Sequence, residues 1–119
     1  IDPRFQTKVY KYLKNKKLIG KYSSFTIAGA GIGVTHNKFK KWHKTFWDNL
    51  DVSIKLHKIS RLIVINHEDC GAAKIANNKK KFNSLIERKI HNESFKNIKK
   101  IIIKRYPYLK VSCTTLSLR

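Results

Sequence analysis

The chain of 119 residues contains no methionine, two cysteines, two prolines and only seven acidic residues. Each scarcity excludes something. Two cysteines, Cys70 and Cys113, cannot staple a disulfide framework, and no segment resembles a signal peptide. A reducing compartment is therefore expected, bacterial cytoplasm or mitochondrial matrix. A chain that opens Ile-Asp-Pro with no methionine reads as processed or truncated. Long apolar runs are missing too: residues 62–65 and 101–103 are the longest purely aliphatic stretches. They fall far short of the ~20 residues that span a bilayer as a helix, so no membrane span is expected. No repeat or linker breaks the sequence, and the length suits one α/β domain over residues 1–119.

What is abundant is positive charge. Twenty-seven Lys and Arg against seven Asp and Glu leave a formal net charge of +20. Such an excess implies polyanionic company, or a lysine-rich composition spread over a solvated surface. Hydrophobic residues make up 41%, enough to build a core.

Residues 4–19 predict an amphipathic helix, with Phe5, Val9, Tyr12 and Leu13 on one face and Gly20 as its stop. Residues 24–28 predict a short buried strand that runs into the turn Ala28-Gly29-Ala30-Gly31-Ile32-Gly33. A longer helix follows over residues 38–58. The continuous apolar run 62–65 reads as a strand covered on both faces in a parallel sheet. Helical spacing resumes at Phe82, breaks near His91-Asn92-Glu93, and continues from a Ser94 cap to Arg105. Pro107 ends it, and residues 109–113 alternate as a last strand. Helices and strands in alternation predict a three-layer α/β domain around a mainly parallel sheet.

Sites in such sheets lie beyond the carboxyl ends of the strands. His67 and Cys70 follow the central strand at a spacing that lets both face one ion, and imidazole nitrogen with thiolate sulfur suits tetrahedral zinc. Taken alone, the pair also fits a capped turn with a half-buried cysteine. Gly29-x-Gly31-x-Gly33 is not the dinucleotide pattern and reads as a tight turn. His36, His43, His57 and His91 lack ligand-like partners in the sequence and read as packing or surface residues. Trp42, Phe46 and Trp47 read as core or interface.

Asp2-x-Arg4, then Ala28-Gly29, then His67-x-x-Cys70-Gly71-Ala72 together resemble the β-class carbonic anhydrases. The run from Trp42 to Trp47 and on through His57 is similar to small bacterial carbonic-anhydrase-like proteins. The resemblance implies reversible hydration of carbon dioxide to bicarbonate by zinc-bound hydroxide, and a homodimer. It makes His67 and Cys70 two of three protein ligands to zinc. Asp2 and Arg4 become the dyad in which the carboxylate orients zinc-bound water and the guanidinium holds the carboxylate. Gly71 is expected to let backbone approach the site closely. The family's first ligand is a cysteine two positions before Asp2, one residue ahead of Ile1.

The charge supports a different expectation. Eleven Lys or Arg lie between Lys79 and Lys110, against Glu87 and Glu93. A carbonic-anhydrase-like fold could serve as an inactive ribonucleoprotein subunit, for example in a mitochondrial ribosome, meeting RNA and neighbouring proteins. Lys79, Lys80, Lys81, Lys99, Lys100 and Lys104 would then contact phosphates.

Overall fold

The computed structural model describes residues 1–78 and 81–118. A 3-10 turn, Pro3–Phe5, leads into helix α1, Gln6–Asn15. The short helix α2, Gly31–Thr35, is followed by a second 3-10 turn, Asn37–Phe39, and by α3, Lys40–His57. Strand β1, Arg61–His67, is followed by α4, Gly71–Ala76, then α5, Ser84–Arg105, then strand β2, Lys110–Leu116. The strands pair in parallel from Arg61 opposite Lys110 to His67 opposite Leu116. The α/β class and the parallel sheet agree with the sequence, and no helix of the described residues is long and apolar enough to cross a membrane.

The β-branched run of β1 anchors the main core. Val64 packs with Val34 of α2, Phe46, Trp47 and Leu50 of α3, Ile98 and Ile102 of α5, and Leu109. Ile98 and Ile102 are fully buried, and each stabilises the fold by about 1.5–3 kcal/mol relative to an exposed side chain. A second cluster joins Ile32 and Phe39 to Cys70, Ala72 and Ala73. Thus the cysteine of the H-x-x-C stretch belongs to packed structure.

Several local expectations need correction. Residues 24–28 form no strand among the described residues. Ser24, Phe25 and Thr26 are exposed, and an extended segment without a ladder partner leaves its backbone to water. Residues 22–27 and 61–67 instead line a cleft of about 960 Å3 beside β1, whose second edge carries no strand among the described residues. Helix α1 stops before Gly20: Lys17 takes a left-handed φ of 60°, and the Leu18 N–H donates to the Leu13 carbonyl at 3.0 Å. This closure satisfies the end of the helix without glycine. Helix α5 runs unbroken through His91-Asn92-Glu93, and Ser94 lies buried within it rather than capping it. Asn83 is the cap, its side chain accepting from the Ile86 N–H at 2.9 Å.

Candidate metal centre

The site forms where the N-terminal turn meets the loop after β1. Asp2 caps the Pro3–Phe5 turn, its Oδ1 accepting from the Arg4 N–H at 2.9 Å. The Arg4 guanidinium turns back on the same carboxylate, donating from Nη2 to Oδ2 at 2.7 Å and from Nε to both oxygens. Its remaining donors cross to the other segment, Nη1 to Asp69 Oδ2 at 3.0 Å and Nη2 to the Asp69 carbonyl at 3.2 Å. Lys74 holds the second Asp69 oxygen at 2.9 Å. Asp69 adopts a left-handed φ of 53°, which asparagine and aspartate tolerate better than most residues.

Hydrogen bonds from Arg4 hold the Asp2 carboxyl down to about 2, with a smaller contribution from His67, so Asp2 is an ionised acceptor at neutral pH. The same bonds raise the Arg4 guanidinium above its ordinary value. Arg4 is solvent-exposed and Asp2 half-buried, so the clamp matters for position more than for stability.

His67 ends β1. Its ring stacks on Phe5, centroids 4.3 Å apart, which ties the N-terminal turn to the strand end a second time. Nδ1 lies 2.7 Å from the Glu68 carbonyl. A carbonyl only accepts, so Nδ1 carries a proton, which in the neutral tautomer leaves the lone pair on Nε2; a metal-binding histidine is commonly oriented in this way. Cys70 is almost wholly buried. Burial pushes its thiol up, the N–H groups of Ala73 and Ala72 act in the opposite direction, and the Glu87 carboxylate adds a smaller upward push.

The structure therefore brings Asp2, Arg4, His67 and Cys70 to one end of β1. Gly71 begins α4, and a Cβ added there would meet no described atom within 4 Å. Gly29 packs closely on α4: its φ is +78°, and an added Cβ would lie 2.7 Å from the Ala72 Cβ. That tight turn seats the glycine-rich segment on α4.

The donor types fit zinc, one imidazole nitrogen and one thiol sulfur. Their number falls one short, because among the described residues no group of three His, Cys, Asp or Glu is arranged to hold a metal.

Sequence reasoning gave no role to Asn66, Asp69, Glu87 or His91 in this region. Asn66 and His91 are buried, and Glu87 nearly so. A titratable pair four apart, Glu87 and His91, in helical register with Ile98 was the available signal.

Of the six lysines proposed to meet RNA, Lys79 and Lys80 lie outside the described residues. Lys81 is exposed before α5, and Lys99, Lys100 and Lys104 are exposed on it. Neither the structure nor the relatives add support to the RNA reading.

The profile of the family described as "Putative carbonic anhydrase" matches residues 1–109. The chain belongs to this family. It is similar to an uncharacterized protein of Rickettsia bellii (strain RML369-C), 28% identical over 112 residues, covering 93% of this chain and 68% of that one. It is also similar to an uncharacterized protein of Rickettsia conorii (strain ATCC VR-613 / Malish 7), 27% identical, covering 93% of this chain and 60% of that one. The chain thus spans about two thirds of the first relative and less of the second. No solved structure matches it.

Proposed function

We propose that this chain carries the zinc centre of an enzyme that hydrates carbon dioxide to bicarbonate. The observation that supports it most is the clamp of Arg4 between Asp2 and Asp69, which holds an ionised carboxylate beside His67 and the Cys70 loop. His67 Nε2 and the Cys70 sulfur would hold the metal. A third donor would be the cysteine that the family resemblance places two positions before Asp2. When bound, zinc supplies hydroxide at neutral pH by lowering the pKa of water to roughly 7.

The protein's own groups do the rest. Three Arg4 N–H groups bind the Asp2 carboxylate, with Nε shared between its two oxygens, so one of its roughly four lone-pair sites is left to accept the hydrogen of the attacking oxygen and aim it. Arg4 prevents that carboxylate from turning away. Asp2→Asn in the chain with its authentic N-terminus is expected to retain zinc and lower the hydration rate roughly 10–100-fold, read by stopped flow. Zinc well below one equivalent in the unmodified protein would overturn the assignment.

The enzyme is expected to be a homodimer. Trp42, Val52 and Leu56 leave apolar surface exposed on α3. A monomer by light scattering at micromolar concentration would contradict this.

A further inference from the structure

We propose that Glu87 is a positioning residue that fixes the Cys70 sulfur by holding the backbone of the Asp69–Cys70 loop. Its carboxylate accepts the Cys70 N–H at 2.8 Å on Oε2 and the Asp69 N–H at 3.0 Å on Oε1. Oε2 also faces His91 Nε2 at 3.2 Å. These bonds lie in the interior, where an unpaired partner is costly.

The proton positions along this network are determined. The Gly31 N–H can only donate, so the Asn66 atom that it meets at 2.9 Å is Oδ1. Asn66 Nδ2 must then donate to His91 Nδ1 at 2.9 Å and to Ser94 Oγ at 3.2 Å. With Nδ1 accepting, neutral His91 carries its proton on Nε2 and donates it to Glu87. Ser94 Oγ passes its hydrogen to the His91 carbonyl at 2.7 Å. One polar chain thus runs from the glycine-rich turn through the end of β1 and α5 to the loop that carries Cys70.

Replacing Glu87 by glutamine keeps the shape and breaks the logic. An amide NH2 cannot accept from a backbone N–H. Turned the other way, it faces the proton on His91 Nε2, and moving that proton to Nδ1 would oppose the Asn66 donors. The loop should therefore open in Glu87→Gln.

Three measurements on the folded chain test the idea, and only the metal measurement rests on the zinc reading. Amide exchange at Asp69 and Cys70 should be slow in the parent and roughly tenfold or more faster in Glu87→Gln. Alkylation of Cys70 by iodoacetamide, resolved from Cys113 by peptide mass, should accelerate by about the same factor. Cobalt(II) alone, titrated into the chain with its authentic N-terminus, should bind roughly 10–100-fold more weakly, with a weaker thiolate charge-transfer band.

Ser94→Ala loosens the far end of the same network and should leave alkylation and cobalt affinity within about twofold of the parent. The proposal is overturned if Glu87→Gln alkylates at the parent rate, or if Ser94→Ala accelerates alkylation equally. Should Glu87→Gln fail to fold, fast exchange of both amides in the parent overturns it, and slow exchange with the expected Ser94→Ala result upholds it. A parent that binds no cobalt, combined with the expected exchange and alkylation changes, sinks the zinc reading and leaves the role of Glu87 standing.

Discussion

In the chain with its authentic N-terminus, Cys70→Ser and His67→Ala are each expected to reduce zinc below a tenth of an equivalent and hydration to background. A catalytic zinc of this kind has three protein donors and one open position, and two donors do not retain it. Serine is nearly the size of cysteine, but its hydroxyl does not ionise at neutral pH to replace the thiolate. The burial of Cys70 also sets a modest folding cost for Cys70→Ser of about 1–3 kcal/mol, the cost of enclosing a hydroxyl. Loss of metal with retained circular dichroism is therefore the expected result. Metal analysis by mass spectrometry reads it directly, and a full equivalent of zinc in either variant would remove the ligand from the proposed set.

The second large effect concerns the glycine-rich turn. Gly29→Ala is expected to destabilise the domain by about 2–4 kcal/mol in urea unfolding. Two causes add. A side chain at a φ of +78° is strained, at about 1–2 kcal/mol. Its Cβ would also lie 2.7 Å from the Ala72 Cβ, and such overpacking costs about 1–3 kcal/mol. The second variant Ala72→Gly separates them, because it removes the collision and leaves the strain. The double variant should therefore be less damaged than the sum of the single changes, a favourable coupling of about 1 kcal/mol or more. Strict additivity would mean that the turn does not press on α4.

How much of this was legible before the fold is instructive at particular residues. The run at 62–65 announced a strand because four consecutive apolar residues, three of them β-branched, suit a sheet covered on both sides. The position of His67 and Cys70 followed from it. Residues 24–28, with Phe25, Ile27 and Ala28, also suit a short strand, but a strand exists only with a partner, and the partner is not a property of the segment itself. The stop of α1 was misplaced because a lysine took the left-handed position that glycine usually fills.

Helix α5 reads as broken because the apolar spacing lapses between Ile90 and Phe95. Its inward line in fact continues through Glu87, His91 and Ser94 to Ile98 and Ile102. A pattern search that counts only apolar residues cannot see a polar interior. The Asp2 to Asp69 bridge spans 67 positions through Arg4, and no local signal encodes such a pairing.

That half-polar, half-aliphatic line on α5 has a consequence for how uniquely the chain folds. A helix whose buried stripe is uniformly aliphatic can slide one turn along its neighbours and exchange one methyl contact for another at small cost. Here a slide of one turn would draw Glu87 away from the Asp69 and Cys70 amides and His91 away from Asn66. Several buried donors would be stranded together, at about 1–3 kcal/mol each. The polar half of the helix acts as a key that fits one register, and the aliphatic half supplies the cohesion once the key is seated.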